Sequence, residues 1–171
     1  MNARPAEQTA YVGLGSNLSD PRAQVLAAKL ALQHLFHSRL TAFSALYRSK
    51  PLACPSLPKE PQPDYINAVA RLATTLSPRQ LLQALQQIEN KQGRIRRSQK
   101  WGPRTLDLDI LLFGMRIITE HDLRIPHPGL TQRAFVLIPL LEVEPALVLP
   151  DGTPAASLLT DAMHEELVPI T

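Results

Sequence analysis

From Leu106 to Ile110 the chain alternates aliphatic and acidic residues, directly after a run of cations. Side chains two apart on a strand share a face. A strand here therefore carries Asp107 and Asp109 on one side and Leu106, Leu108 and Ile110 on the other. The aliphatic side demands a core. The two carboxylates repel unless something positive lies between them. A hard divalent cation meets that need, because Mg²⁺ takes one or two carboxylates together with phosphate and water. The preceding loop supplies Arg94, Arg96, Arg97, Lys100 and Arg104. Alone, an acid pair is often a solvated face and an arginine cluster a soluble surface or a nucleic-acid patch. Joined through Trp101-Gly102-Pro103-Arg104, they point to a metal–polyphosphate site and to nucleotide-dependent phosphoryl or pyrophosphoryl transfer.

Composition narrows the class. A chain of 171 residues fits one domain with a proper core. We expect residues 1–9 to be a loose tail and 10–171 a single catalytic domain. A net charge of +3 suits anionic small ligands but is too weak to imply nucleic acid by itself. The single cysteine, Cys54, excludes an internal disulfide and a cysteine-rich zinc site. The N-terminal MNARPAEQTA lacks the apolar core of a signal peptide, and no apolar run reaches the roughly 18 residues of a membrane span. A soluble cytoplasmic protein is expected.

The pattern along the chain reads as alternating elements. Ala10–Leu14 is a strand, and Gly15-Ser16-Asn17 is a tight turn. Ser19-Asp20-Pro21 opens a helix running to about Phe36, with Val25, Ala28, Leu32 and Leu35 as its buried stripe. Leu40–Arg48 is a second strand. Five prolines between Ser49 and Pro63 exclude regular structure, and a loop of that length is usually functional or mobile. Tyr65–Thr74 is a third strand, with Ile66, Ala68, Ala70 and Leu72 on one face and Tyr65, Asn67 and Val69 on the other. Ser77-Pro78 starts a second helix with Leu81, Leu85 and Ile88 inward, and Gly93 stops it. The acid strand is the fourth. A short strand at Arg116–Thr119, an extended Leu123–Pro128, a helix within Thr131–Glu142 and a short helix around Ser157–Leu167 complete the chain, which ends loosely.

The order strand, helix, strand, strand, helix, strand fits an α+β, ferredoxin-like split β-α-β arrangement. It implies one antiparallel sheet with helices on one face and functional loops on the other.

Four motifs stand in order: G-L-G-S-N-L from Gly13, P-D-Y-I-N from Pro63, W-G-P-R-T-L-D-L-D from Trp101, and I-P-H-P with R-A-F-V-L between Ile125 and Leu137. On these the sequence resembles the 6-hydroxymethyl-7,8-dihydropterin pyrophosphokinase family of folate-pathway enzymes, from roughly Tyr11 to Asp151. The resemblance implies that the β,γ-pyrophosphoryl group of ATP passes to the hydroxymethyl of a reduced pterin and that AMP leaves. It also implies a monomer, two Mg²⁺ ions and mobile loops that close over the substrates. Asp107 and Asp109 match the metal ligands. Tyr65 and Phe135 match the rings that sandwich the pterin, and Asn67 the amide that reads its edge. Ser49 and Leu52 match backbone contacts to the pterin. Arg94, Arg104, His127 and Arg133 match contacts to the triphosphate, with Arg124 a further nucleotide-side cation. Arg96, Arg97 and Trp101 match the catalytic loop. Gln86, Glu89 and Ile110 match the nucleotide pocket.

There are departures. Lys100 replaces the leading arginine, the loop from Leu52 to Tyr65 is longer, with Cys54–Pro58 inserted, and Lys50 precedes Pro51 where other members carry proline. Asp122 stands where some members carry a cation.

Two other readings compete. Ferredoxin-like sheets with basic loops also bind RNA by stacking bases on sheet aromatics. This chain lacks the aromatic-rich strand pattern, and two acids on the central strand repel phosphate without a metal; no nucleic-acid or membrane partner is expected. A catalytically dead paralogue acting as an interaction domain is the third reading. Turnover separates it from the first.

Overall fold

A computed structural model of the chain describes residues 5–53, 61–93 and 104–171. The elements are β1 (Gln8–Ser16), α1 (Pro21–Gln33), β2 (Ser38–Phe43), β3 (Leu46–Ser49), β4 (Tyr65–Thr74), α2 (Pro78–Lys91), β5 (Asp107–Phe113), β6 (Ile118–Thr119), β7 (Arg124–Ile125), α3 (Ala134–Val143), a 3-10 turn (Ala155–Leu158), α4 (Asp161–Glu166) and β8 (Val168–Ile170). Six strands form one antiparallel sheet in the order β5-β1-β4-β3-β8, with β2 pairing β4 before β3 does. β6 and β7 make a separate hairpin.

Capping chemistry sets the two long helices. The Asp20 side chain accepts from Ala23 N ahead of Pro21, and Ser77 with Gln80 closes a full capping box ahead of Pro78. Val25, Ala28 and Leu32 of α1 and Leu81, Leu85 and Ile88 of α2 face inward. They meet Val12, Leu14, Ile66, Ala68, Ala70, Leu72, Leu108 and Ile110 from one face of the sheet. α3 packs on the opposite face, where Leu137 and Leu140 meet Tyr11, Val69, Leu111 and Leu112. The expectation of helices on one face thus holds for α1 and α2, while α3 packs on the other; the loops expected there fall largely outside the described residues.

Several boundaries differ from the sequence reading. β1 begins at Gln8, because Gln8 and Thr9 pair with Thr74 and Ala73; two residues of the expected tail are therefore strand. Gly15 and Ser16 also belong to β1 rather than to a turn. α1 stops at Gln33, since His37 takes a left-handed φ of 59° to lead into β2, which leaves Phe36 exposed. The expected single strand Leu40–Arg48 is two. At the break Ser44 keeps contact with β4 through its backbone N–H to Val69 O and its hydroxyl, which accepts from Val69 N. Ala45 N donates instead to Glu142 on α3. α3 runs through Pro139 but starts at Ala134, with Arg133 as its cap. The short strand expected at Arg116–Thr119 is reduced to β6. The expected terminal helix divides into the 3-10 turn and α4, and the end is not loose: β8 pairs with β3, Leu46 facing Ile170.

A bulge in β5 matters for the site. Val12 faces Ile110 while Tyr11 faces Leu112, so Leu111 is the extra residue. Leu111 and Leu112 both turn toward the α3 side, below the acid pair.

Candidate active site

Alternation on three neighbouring strands lays out the site. Gly15 pairs with Asn67 on one side and Asp107 on the other, and Gly13 with Val69 and Asp109. Two glycines on the middle strand leave its exposed face bare. Neighbouring strands lie about 4.8 Å apart, so the Asn67 and Asp107 rows are separated by a trough on the order of 10 Å wide. A Cβ on Gly13 would lie 3.3 Å from Leu111 Cδ2, and one on Gly15 3.3 Å from Asn67 Oδ1. The trough is the floor of a cavity of about 380 Å³.

One wall is amide and ring. Asn67, 4% exposed, donates through Nδ2 to Ser49 Oγ at 2.8 Å. That bond fixes the amide's orientation. Tyr65, Ser49, Lys50 and Leu52 line the same end. The other wall is charged. Asp107 and Asp109 stand half-exposed on the cavity face of β5, while Leu106, Leu108 and Ile110 are buried behind them, as the alternation requires. Arg104 Nη1 reaches Asp107 Oδ2 at 2.5 Å, and His127 Nε2 lies 3.8 Å from Asp109 Oδ2.

The rim comes from the segment ahead of α3. It leaves the β7 hairpin through a cis Ile125–Pro126 bond, and His127 N donates to Leu111 O at 2.9 Å. Gly129 N donates to His127 Nδ1 at 3.0 Å. Burial, and secondarily the charge of Arg133, push the His127 pKa down against the opposing pull of Asp107. Both effects favour the neutral imidazole, and the bond from Gly129 N makes Nδ1 its acceptor, with Nε2 toward the acids. Arg133 sits 6.0 Å from the centroid of Phe135, which lines the cavity. Gly129 makes room for it: a Cβ there would collide with Arg133 Nε.

The fold therefore brings together Ser49, Leu52, Tyr65, Asn67 and Phe135 with Arg104, Asp107, Asp109, His127 and Arg133 around one cavity. Gln86, Glu89 and Ile110 lie elsewhere. Ile110 faces the core behind the acids, and Glu89 is 3% exposed on the inward side of α2. Arg124 is exposed on β7, outside the cavity lining. Arg94, Arg96, Arg97 and Trp101 fall outside the described residues, as does Cys54. Asp122 pairs with Arg79, which also holds Glu120, so the β6–β7 hairpin is tied to the start of α2.

Five further residues, given no site role in the sequence reading, contribute. Gly13 and Gly15 shape the floor, and the G-x-G spacing inside a strand is the signal that finds them. Val136 and Leu111 give it an apolar side. Asn17, read as a turn residue, is buried at 1% and holds both walls.

Among the described residues no three histidine, cysteine or acidic side chains converge. Asp107 and Asp109 are thus a two-carboxylate donor set. That suits Mg²⁺, which keeps waters and takes its remaining ligands from phosphate, better than a metal needing a full protein cage.

The antiparallel sheet thus carries an amide-and-ring wall facing an acid-and-cation wall across one cavity. A family described as 7,8-dihydro-6-hydroxymethylpterin-pyrophosphokinase (HPPK) matches residues 11–145. The 2-amino-4-hydroxy-6-hydroxymethyldihydropteridine pyrophosphokinase of Haemophilus influenzae is 46% identical over 160 residues, covering 94% of this chain and 96% of its own. The protein of the same name from Pseudomonas aeruginosa is 51% identical over 158 residues, covering 92% and 94%. The chain belongs to the 7,8-dihydro-6-hydroxymethylpterin-pyrophosphokinase family. Its fold is also that of a solved Plasmodium falciparum HPPK-DHPS with pterin and p-hydroxybenzoate, at a TM-score of 0.75 and 15% identity. That match covers 99% of this chain and 48% of the longer one, so the chain spans about half of that protein.

Proposed function

We propose that this protein transfers the β,γ-pyrophosphoryl group of ATP to the hydroxymethyl oxygen of 6-hydroxymethyl-7,8-dihydropterin and releases AMP. The hydroxyl oxygen bonds to the β-phosphorus, the bond from that phosphorus to the α,β-bridging oxygen breaks, and AMP leaves with that oxygen. The hydroxyl proton goes to solvent. The carrying observation is the trough: Asn67 and Asp107 face each other across Gly15, so a ring read by the amide presents its substituent to the acid pair.

Each residue has a role in that geometry. Asn67, oriented by Ser49, reads the pterin edge, and Tyr65 and Phe135 supply stacking faces. Leu52 and Ser49 close that end. Asp107 and Asp109 would hold Mg²⁺, with two ions expected. When bound, Mg²⁺ supplies charge neutralisation and a lowered hydroxyl pKa. Arg104, Arg133 and neutral His127, donating through Nε2, hold triphosphate oxygens and offset the charge that shifts to the leaving oxygen. Arg124 adds a peripheral cation. Arg94, Arg96, Arg97 and Trp101 belong to the catalytic loop in this reading, and Gln86, Glu89 and Ile110 to the nucleotide side. No described side chain is placed as a strong general base; positioning supplies most of the rate.

We read residues 8–171 as one catalytic domain, monomeric and cytoplasmic, with small-molecule substrates and no nucleic-acid partner. Support comes from β8, which joins the last residues to the sheet that β1 begins, and from the acids on the cavity face. No helix of the described residues is long and apolar enough to cross a membrane. Phosphorus NMR of the products tests the reaction: a pyrophosphorylated pterin with AMP supports it, and a monophosphorylated pterin with ADP contradicts it.

A further inference from the structure

Asn17 follows directly after β1, where the bare strand ends. It makes four hydrogen bonds to two segments distant in sequence. Its backbone N–H donates to Arg104 O at 3.1 Å, and its Oδ1 accepts from Arg104 N at 2.8 Å. Its Nδ2 donates to Pro63 O at 3.1 Å and to Gln62 Oε1 at 3.4 Å. The residue is 1% exposed, while its partners Gln62, Pro63 and Arg104 lie nearer the surface. One face of the amide thus holds the residue that pairs with Asp107, and the other holds the chain two residues before Tyr65.

We propose that Asn17 is a positioning residue that sets the register between the two walls of the active site. The inference rests on the transfer reaction proposed above. Only an amide satisfies both segments, because one must receive an acceptor and the other a donor. Arg104 is placed through its backbone, leaving its guanidinium for Asp107 and phosphate. Pro63 is placed through its carbonyl, which fixes where β4 and the Tyr65 ring begin. In-line transfer requires the ring's substituent and the phosphate to meet within a fraction of an ångström, and a misplacement of about 1 Å can cost roughly 100-fold in rate.

The two arms can be cut separately. Asn17→Ala removes both side-chain arms. Asn17→Asp keeps an acceptor for Arg104 N but offers Pro63 O no donor. Both variants and the wild type are assayed for kcat and for the KM of each substrate. Equilibrium binding of the pterin, and separately of a non-hydrolysable ATP analogue with Mg²⁺, is measured alongside thermal unfolding. The expected result is an Asn17→Ala enzyme that unfolds cooperatively, with kcat lowered about 10- to 100-fold and both affinities weakened. Asn17→Asp is expected to weaken pterin binding about tenfold while nucleotide binding stays within about twofold, as loss of one hydrogen-bonded arm implies. Equal loss of both affinities in the two variants would overturn the proposal, as would unchanged kinetics. Failure of both variants to fold would also overturn it, making Asn17 a determinant of the fold alone. Wild-type protein that binds ATP but makes no AMP would instead remove the transfer reaction itself, whatever the variants do.

Discussion

Gly15 stands opposite Asn67 in the β1–β4 register, and a Cβ placed on it would lie 3.3 Å from Asn67 Oδ1. That oxygen belongs to an amide whose nitrogen donates to Ser49. Gly15→Ala is therefore expected to displace Asn67 by a few tenths of an ångström and to raise the floor of the trough. Pterin affinity should fall about tenfold, roughly one lost hydrogen bond, with little change in nucleotide binding. Titration of each ligand separately checks this; equal losses would mean that the substitution disturbs the sheet rather than the pterin wall.

Ser49→Ala leaves the Asn67 amide buried without its 2.8 Å acceptor. An unsatisfied buried donor costs about 1–3 kcal/mol. Urea unfolding should show a loss in that range at unchanged m-value, together with weaker pterin binding. An unchanged midpoint would show that the amide finds another partner.

Asp109 is 46% exposed at its side chain, so the fold does not depend on burying it. Asp109→Ala is expected to leave stability within about 0.5 kcal/mol, helped by relief of repulsion from Asp107. Turnover should drop by roughly a thousandfold, as losing several kcal/mol of charge stabilisation implies. Unfolding of the variant would move the acid pair to a structural role.

How far the sequence discloses this site varies residue by residue. The acid pair is legible because period-two alternation and the aliphatic face behind it must agree, and both do in β5. The helix starts are legible because Asp20-Pro21 and Ser77-Pro78 carry local capping chemistry. The division of β2 from β3 is not, because it depends on Ser44 and Ala45 meeting Val69 and Glu142, residues far along the chain. β8 is equally hidden: Val168–Ile170 is strand only because β3 offers an open edge. Asn17 reads as a turn residue for the same reason, since its partners Pro63 and Arg104 are 46 and 87 residues away.

Alkaline stability follows from two tyrosines on the α3 side. Burial, then the neighbouring Glu144, pushes the Tyr11 pKa up to about 12. Burial and the hydrogen bond to Glu142 do the same for Tyr47, also to about 12. The folded protein holds these protons more tightly than the unfolded chain, whose tyrosines ionise near 10.0. Their contribution is complete below pH 10 and is lost as pH rises toward 12. Denaturant unfolding across that window should show falling stability, with a flatter decline when both residues are phenylalanine. An identical slope in the double variant would contradict the assignment.

The central claim is pyrophosphoryl transfer at the trough between Asn67 and Asp107. Nucleotide products from ATP and Mg²⁺, quantified with and without 6-hydroxymethyl-7,8-dihydropterin, test it most directly. The account predicts AMP, formed only when the pterin is present, without ADP. Pterin-dependent ADP would mean ordinary kinase chemistry on the same scaffold, and ATP binding without either product would contradict the assignment of this site as catalytic.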